Sequence, residues 1–194
     1  MTVERRSSGR PRDPRIESAA LEAARAALLD EGWTGLSMAG VAARAGTTKP
    51  ALYRRWPSLP HLVYEAAFPD EVALEFHLDS GDLRTDIAGI ARGIRDLLTS
   101  PVPAAALPGL LAEFSTQPEL HASLLARFAD GFAMLDERLN RAAADGEARK
   151  DVTAEDLLRL AIGATLLGVL LGPETLDDAW VERLAETLWR GIAA

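Results

Sequence analysis

Side chains able to do chemistry are sparse and scattered in this sequence. The three histidines, His61, His77 and His121, stand far apart, and none falls in a metal-binding spacing such as H-E-x-x-H. There is no glycine-rich phosphate loop and no G-x-S-x-G motif. Cysteine is absent, which excludes disulfides, thiol catalysis and cysteine–zinc sites. An enzyme is the alternative that no motif supports, and neither cofactor nor metal is expected. One stretch is different. Residues 37–56 read SMAGVAARAGTTKPALYRRW and gather Ser37, Thr47, Thr48, Lys49, Tyr53, Arg54 and Arg55 around Pro50. Hydroxyl, ammonium and guanidinium groups are the donors that grip phosphates and read guanine edges. The chemistry expected of them is hydrogen bonding to a polyanion.

The elements that must position these groups all read as helices. Asp13-Pro14 can cap and open a first helix, which runs through an alanine-rich stretch to Gly32. Ser37 caps a short second helix over 38–45, and Gly46 ends it. Thr47 and Thr48 lead into a third over about 49–56, stopped by Pro57. Small residues on the second helix (Val41, Ala42, Ala45) can pack closely against Ala51 and Leu52 of the third, as a helix-turn-helix requires. Pro60 begins a fourth helix and Pro69 closes it. Residues 71–78 read as helix or loop. Leu83, Ile87, Ile90, Ile94 and Leu97 mark one face of a fifth helix, ended by Pro101 and Pro103. A short helix follows near 104–114. Pro118 opens a long seventh, with Leu125, Phe128, Phe132, Leu135 and Leu139 at alternating spacings of three and four. After a polar loop, Thr153 caps an eighth helix that ends at Gly172-Pro173. A ninth spans about 176–192. The expected fold is all-α, with about nine helices.

Charge divides the chain. The net charge is −8 over 194 residues, yet residues 1–56 hold ten Lys and Arg against six Asp and Glu. That head is +4, which leaves −12 for the remainder. A basic end on an acidic body suits a protein of which one end meets a polyanion. Ahead of the first helix, Arg5, Arg6, Arg10 and Arg12 make a basic arm. Its Gly-Arg-Pro-Arg is like the core of a minor-groove hook, and a charged tail with no base contacts remains the other reading. No apolar signal-peptide core precedes Pro14. The most apolar uncharged stretch, residues 160–172, is shorter than the ~20 residues a bilayer needs. A soluble cytoplasmic protein without a membrane partner is expected.

The stretch VAARAGTTKPALYRRWPS resembles the DNA-binding signature of TetR-family regulators, and Gly32-Trp33 resembles the end of that family's first helix. The match is strong over about residues 14–68, and Asp79-Ser80-Gly81 before Leu83-Arg84 and Asp86 adds a weaker one. Leu59 and Pro60 stand where family members often carry a phosphate-gripping lysine, which puts one phosphate contact in doubt. The resemblance implies a basic arm (1–13), a helix-turn-helix domain (14–68), and a ligand-binding and dimerisation domain (69–194). It implies a repressor that leaves a palindromic double-stranded operator when a small effector binds. A ligand-independent architectural binder is the alternative. DNA contacts are expected from Ser37, Thr47, Thr48, Lys49, Pro50, Tyr53, Arg54 and Arg55, with Arg10 and Arg12 of the arm. For Tyr53 a half-buried core position is the competing reading.

The body carries the other two expectations. Its eighth helix is apolar nearly all round, so it needs cover on both sides. Leu160, Gly163, Leu167 and Val169, with Val181, Leu184 and Leu188 of the ninth helix, are the expected homodimer surface, and a helix buried at the centre of a monomer is the competing reading. The effector cavity implied by the resemblance would be lined by Ile94, Leu98, Leu110, Phe114, His121, Phe128, Phe132, Met134 and Trp180. A phenylalanine stripe at helical spacing is equally what a plain core uses. This lining points to a hydrophobic or aromatic ligand.

Overall fold

The computed structural model describes residues 14–69, 78, 80–114 and 116–194. The arm with Arg10 and Arg12, and residues 71–77, lie outside them. Ten α-helices and one 3-10 turn form the described residues, with no strand beyond an isolated bridge between Ala148 and Ala193.

Helix α1 (Pro14–Gly35) bends at Gly32, whose φ of 69° a side chain would resist. The regular helix therefore ends at Gly32, where the sequence reading stopped it, and a short helical turn over residues 33–35 follows the kink. Helix α2 (Met38–Arg44) is capped by Ser37, whose Oγ accepts from Gly40 N at 3.1 Å. Helix α3 (Lys49–Tyr53) is capped by Thr48 and is three residues shorter than expected, because Arg54 and Arg55 form a turn. Helix α4 (Leu59–Ala67) packs against α1.

Helix α5 (Leu83–Thr99) is capped by Asp82. Ser100 then turns extended, and α6 (Pro101–Phe114) leaves at 82° to it. Pro101 opens α6 where the sequence reading made it end α5, since proline is preset for a first helical turn. Pro108 sits inside α6 at the cost of one backbone hydrogen bond.

The long seventh helix of the sequence reading is two helices, α7 (Pro118–Arg127) and α8 (Ala129–Ala144). Phe128 lies between them at φ −97° and ψ 3°, outside helical geometry. The apolar spacing runs unbroken across this point, so periodicity gives no sign of it. Helix α9 (Ala154–Leu171) starts at a Thr153 cap, a 3-10 turn (Pro173–Thr175) follows, and α10 (Asp178–Ile192) closes along α5. No single described helix is long and apolar enough to cross a membrane.

Helix α6 joins the two ends of the molecule. One of its sides packs on α1 and α4. Gly109 faces the Trp33 indole of α1 so closely that a Cβ there would lie 1.8 Å from the ring. The same helix contributes Leu107, Leu110 and Phe114 to the apolar interior.

Candidate nucleic-acid interface and apolar cavity

Two short helices and a glycine turn build the basic surface. Val41 and Ala42 of α2 and Leu52 of α3 are buried, α2 packing on α1 and α3 on α2. Gly46 takes φ 61° in the turn, which lets α3 leave at once. The opposite side of α3 is open. Thr48, Lys49, Pro50 and Arg54 are exposed, Tyr53 is 46% exposed and Thr47 is half-buried. The Lys49 ammonium lies 5.7 Å from the centre of the Tyr53 ring, a cation–π arrangement that keeps both side chains on one surface. Tyr53 is thus no core residue.

Two arginines of the region point elsewhere. Arg55, expected beside Tyr53 as a phosphate contact, is half-buried and pairs with Glu17 of α1, so it ties the end of α3 to α1. Arg44 of α2 reaches Asp30 at 3.0 Å and Glu31 at 2.6 Å, and these hydrogen bonds, Asp30's first, raise its pKa further. The buried Trp56 donates from Nε1 to Glu65 Oε2 at 2.7 Å, which secures α3 to α4. Ser37 and Thr48 spend their hydroxyls on capping, which leaves each oxygen able to donate outward.

The second site is a cavity of about 160 Å³. Helix α5 gives it Ile94, Leu97 and Leu98; α6 gives Leu107, Leu110, Leu111 and Phe114. Phe128 and Phe132 come from the α7–α8 junction, Leu158, Ile162 and Leu166 from α9, and Phe68 from the end of α4. Six expected lining residues therefore meet here: Ile94, Leu98, Leu110, Phe114, Phe128 and Phe132. Trp180 does not, because it sits on α10, whose inner face packs along α5. Met134 points outward, 52% exposed. The His121 side chain lies outside the described atoms. The sequence reading missed the α9 stripe at Leu158, Ile162 and Leu166, which has the right four-residue period. It assigned that helix to the subunit interface alone.

Both ends of α4 connect to this region. Phe68 at its C-terminus lines the cavity. At its N-terminus the Ser58 hydroxyl donates to Gln117 Oε1 at 3.1 Å and lies 2.9 Å from His61 Nδ1. Gln117 Nε2 in turn donates to Glu113 Oε2 at 2.6 Å, one residue before Phe114.

A third surface lies on the outer side of α9. Leu160, Gly163, Leu167, Leu170 and Leu171 are exposed in one stripe, Leu160 by 63% and Leu167 by 57%. Val169 and Leu184 are half-buried. Val181 and Leu188, expected at the same interface, are buried within the chain, since α10 turns them toward α5.

An all-α chain with a glycine-turned helix pair at one end and an apolar cavity among its remaining helices is a helix-turn-helix protein with a separate pocket. Residues 20–65 match the family described as bacterial regulatory proteins, tetR family, and residues 77–188 match the tetracyclin repressor-like C-terminal domain. The chain belongs to the TetR family. It is 31% identical over 176 residues to the DNA-binding transcriptional repressor TetR of Mycobacteroides abscessus, spanning 87% of this chain and 89% of that one. The solved TetR family transcription regulator SCO0332 is 29% identical, with a TM-score of 0.67 over 93% of this chain and 100% of its own. NalD, described as the secondary repressor of the MexAB-OprM multidrug efflux pump in Pseudomonas aeruginosa, shares the fold: 23% identity and a TM-score of 0.66 over 93% and 96%.

Proposed function

We propose that this chain is a homodimeric transcriptional repressor that holds a palindromic operator and releases it when a small apolar effector fills the cavity. It acts as a regulator with no catalytic step. The division of labour follows the sequence reading, with residues 1–13 as an arm, 14–68 reading DNA and 69–194 binding effector and partner. The observation that carries the reading is the exposed side of α3. Thr48, Lys49, Pro50, Tyr53 and Arg54 stand clear of the core on a helix whose far side is anchored by Leu52.

In this reading Lys49 and Arg54 reach base edges, while Tyr53, Ser37 and Thr47 donate to phosphates. Arg10 and Arg12 supply further backbone or minor-groove contacts. One such head contacts few bases, so two must act together. A two-fold dimer sets recognition helices one DNA turn apart, ~34–36 Å. The exposed leucines of α9 supply the surface for that dimer, because an apolar stripe of this kind is costly to leave in water.

The cavity favours an effector-controlled protein over a ligand-independent binder, since its centre is open where packed side chains would otherwise meet. Helix α4 is the link. A ligand pressing on Phe68 or Phe114 shifts α4 at one end directly and at the other through Glu113, Gln117 and Ser58. A small tilt changes the spacing of the two heads and so the fit to DNA.

Selection of duplexes from a random pool, followed by footprinting, tests the reading. An enriched inverted repeat with half-sites about ten base pairs apart is expected. Enrichment of no sequence, with binding that depends on salt alone, would remove the repressor assignment.

A further inference from the structure

The wall of the cavity restricts what can fill it. Four phenylalanine rings, Phe68, Phe114, Phe128 and Phe132, face leucine and isoleucine side chains, and every lining residue among the described ones is a hydrocarbon. Tyr64, whose hydroxyl is buried, does not line the cavity, and neither do the buried Asp86, Arg138 and Thr165. The last three already have partners: Arg138 Nε donates to Asp86 Oδ2 at 2.7 Å, and Thr165 Oγ1 donates to Ala161 O at 2.8 Å. Away from Pro108 and the helix ends, the backbone groups of the surrounding helices are paired in their own ladders. A ligand hydroxyl or carboxylate placed inside would lose its water and meet none of the described polar side chains in return.

Size narrows the class further. The cavity measures about 160 Å³. An engineered apolar cavity of about 150 Å³ in another protein stays dry and takes up benzene. Phenylalanine rings on several sides favour an aromatic guest, since ring edges and faces attract one another.

We propose that this site takes a neutral, single-ring aromatic hydrocarbon, of which toluene is the model, and rejects a ring of the same size that carries a carboxylate or hydroxyl. The proposal deepens the effector reading above and rests on this cavity being the effector site. Binding of such a ligand to the folded state alone raises the unfolding temperature with ligand concentration.

The test uses the full chain with toluene, benzyl alcohol and benzoate at matched concentrations, read by thermal unfolding and by affinity for the selected operator duplex. Toluene should raise the midpoint progressively and weaken operator binding tenfold or more. Benzoate should do neither, and benzyl alcohol should need at least tenfold higher concentration. Fluorobenzene followed by fluorine NMR reads occupancy without a variant. Ile162→Phe, which fills the cavity from α9, should abolish both the toluene shift and the fluorobenzene signal. A benzoate shift equal to that of toluene, with operator release, overturns the ligand class while leaving an effector-controlled regulator. A toluene shift with unchanged operator binding supports the ligand class and removes the effector reading. No toluene shift and no fluorobenzene binding overturns the proposal.

Discussion

Arg138 of α8 donates from Nε to Asp86 Oδ2 of α5 at 2.7 Å, both side chains lying in the interior. The other carboxylate oxygen of Asp86 accepts from Ser80 Oγ at 2.6 Å and Ser80 N at 3.2 Å, so the pair also fastens the chain entering α5. Removing one partner leaves an uncompensated buried charge, whereas replacing both with apolar groups does not. Arg138→Ala should therefore cost about 3–5 kcal/mol in urea unfolding. The double change Asp86→Leu with Arg138→Met should cost less than either single substitution. A loss in Arg138→Ala no larger than at a surface site would show that the pair contributes nothing net.

The cap of α5 gives the molecule an acid sensitivity. Asp82 accepts from Thr85 Oγ1 at 2.6 Å, Thr85 N at 3.1 Å and Arg84 N at 3.3 Å, and these bonds, that of the Thr85 hydroxyl foremost, hold its pKa below the ordinary value. The folded state thus binds this proton more weakly than the unfolded chain does. The stabilisation is complete above the unfolded value of about 3.9 and is lost as pH falls through the lower folded value. Asn caps comparably without titrating. Wild type should lose stability relative to Asp82→Asn as pH is lowered from about 5 to about 3. Parallel stability curves for the two proteins would dismiss the effect.

Lys49→Ala separates base reading from charge attraction. The lysine is exposed at the start of α3 and held near the Tyr53 ring. Its loss should weaken the selected site by ~1–3 kcal/mol and nonspecific DNA much less, measured by titration at one salt concentration. Equal losses on both DNAs would place the ammonium on phosphate.

Tyr53→Phe removes one hydroxyl and keeps the ring. Since the side chain is 46% exposed, thermal stability should not change, while operator affinity falls. A large drop in melting temperature would mean that the hydroxyl serves the fold.

Leu167→Glu tests the apolar stripe of α9. Leu167 is 57% exposed within one chain, so the glutamate can be hydrated there and folding should survive. A monomer by sedimentation, with an intact helical spectrum and no operator binding, is expected. Leu160→Glu, on the same stripe, should behave alike. Dimers from both variants would put the interface elsewhere.

The residues that sequence reading placed well are those governed by local rules. Ser37 and Thr153 cap because a hydroxyl before a helix has few other uses, and the Gly46 turn follows from its positive φ. What escaped is set by packing over distance. Arg54 and Arg55 are neighbours of like charge, yet Glu17, thirty-eight residues before Arg55, turns one of them away from the surface. Val181 and Leu188 share a periodic face with Leu184, and periodicity marks a buried face without saying whether α5 or another subunit covers it. The break at Phe128 is likewise invisible to a pattern that continues through it.

The anchoring of α3 has a consequence for change over time. Leu52 beneath, the Arg55–Glu17 pair and the Trp56–Glu65 bond secure this five-residue helix without using any of its outward side chains. Attachment and recognition are written in different letters. Substitutions at Lys49, Pro50 and Arg54 can therefore accumulate with little cost to folding, and a descendant of this protein can acquire a different outward surface on α3 while keeping its architecture.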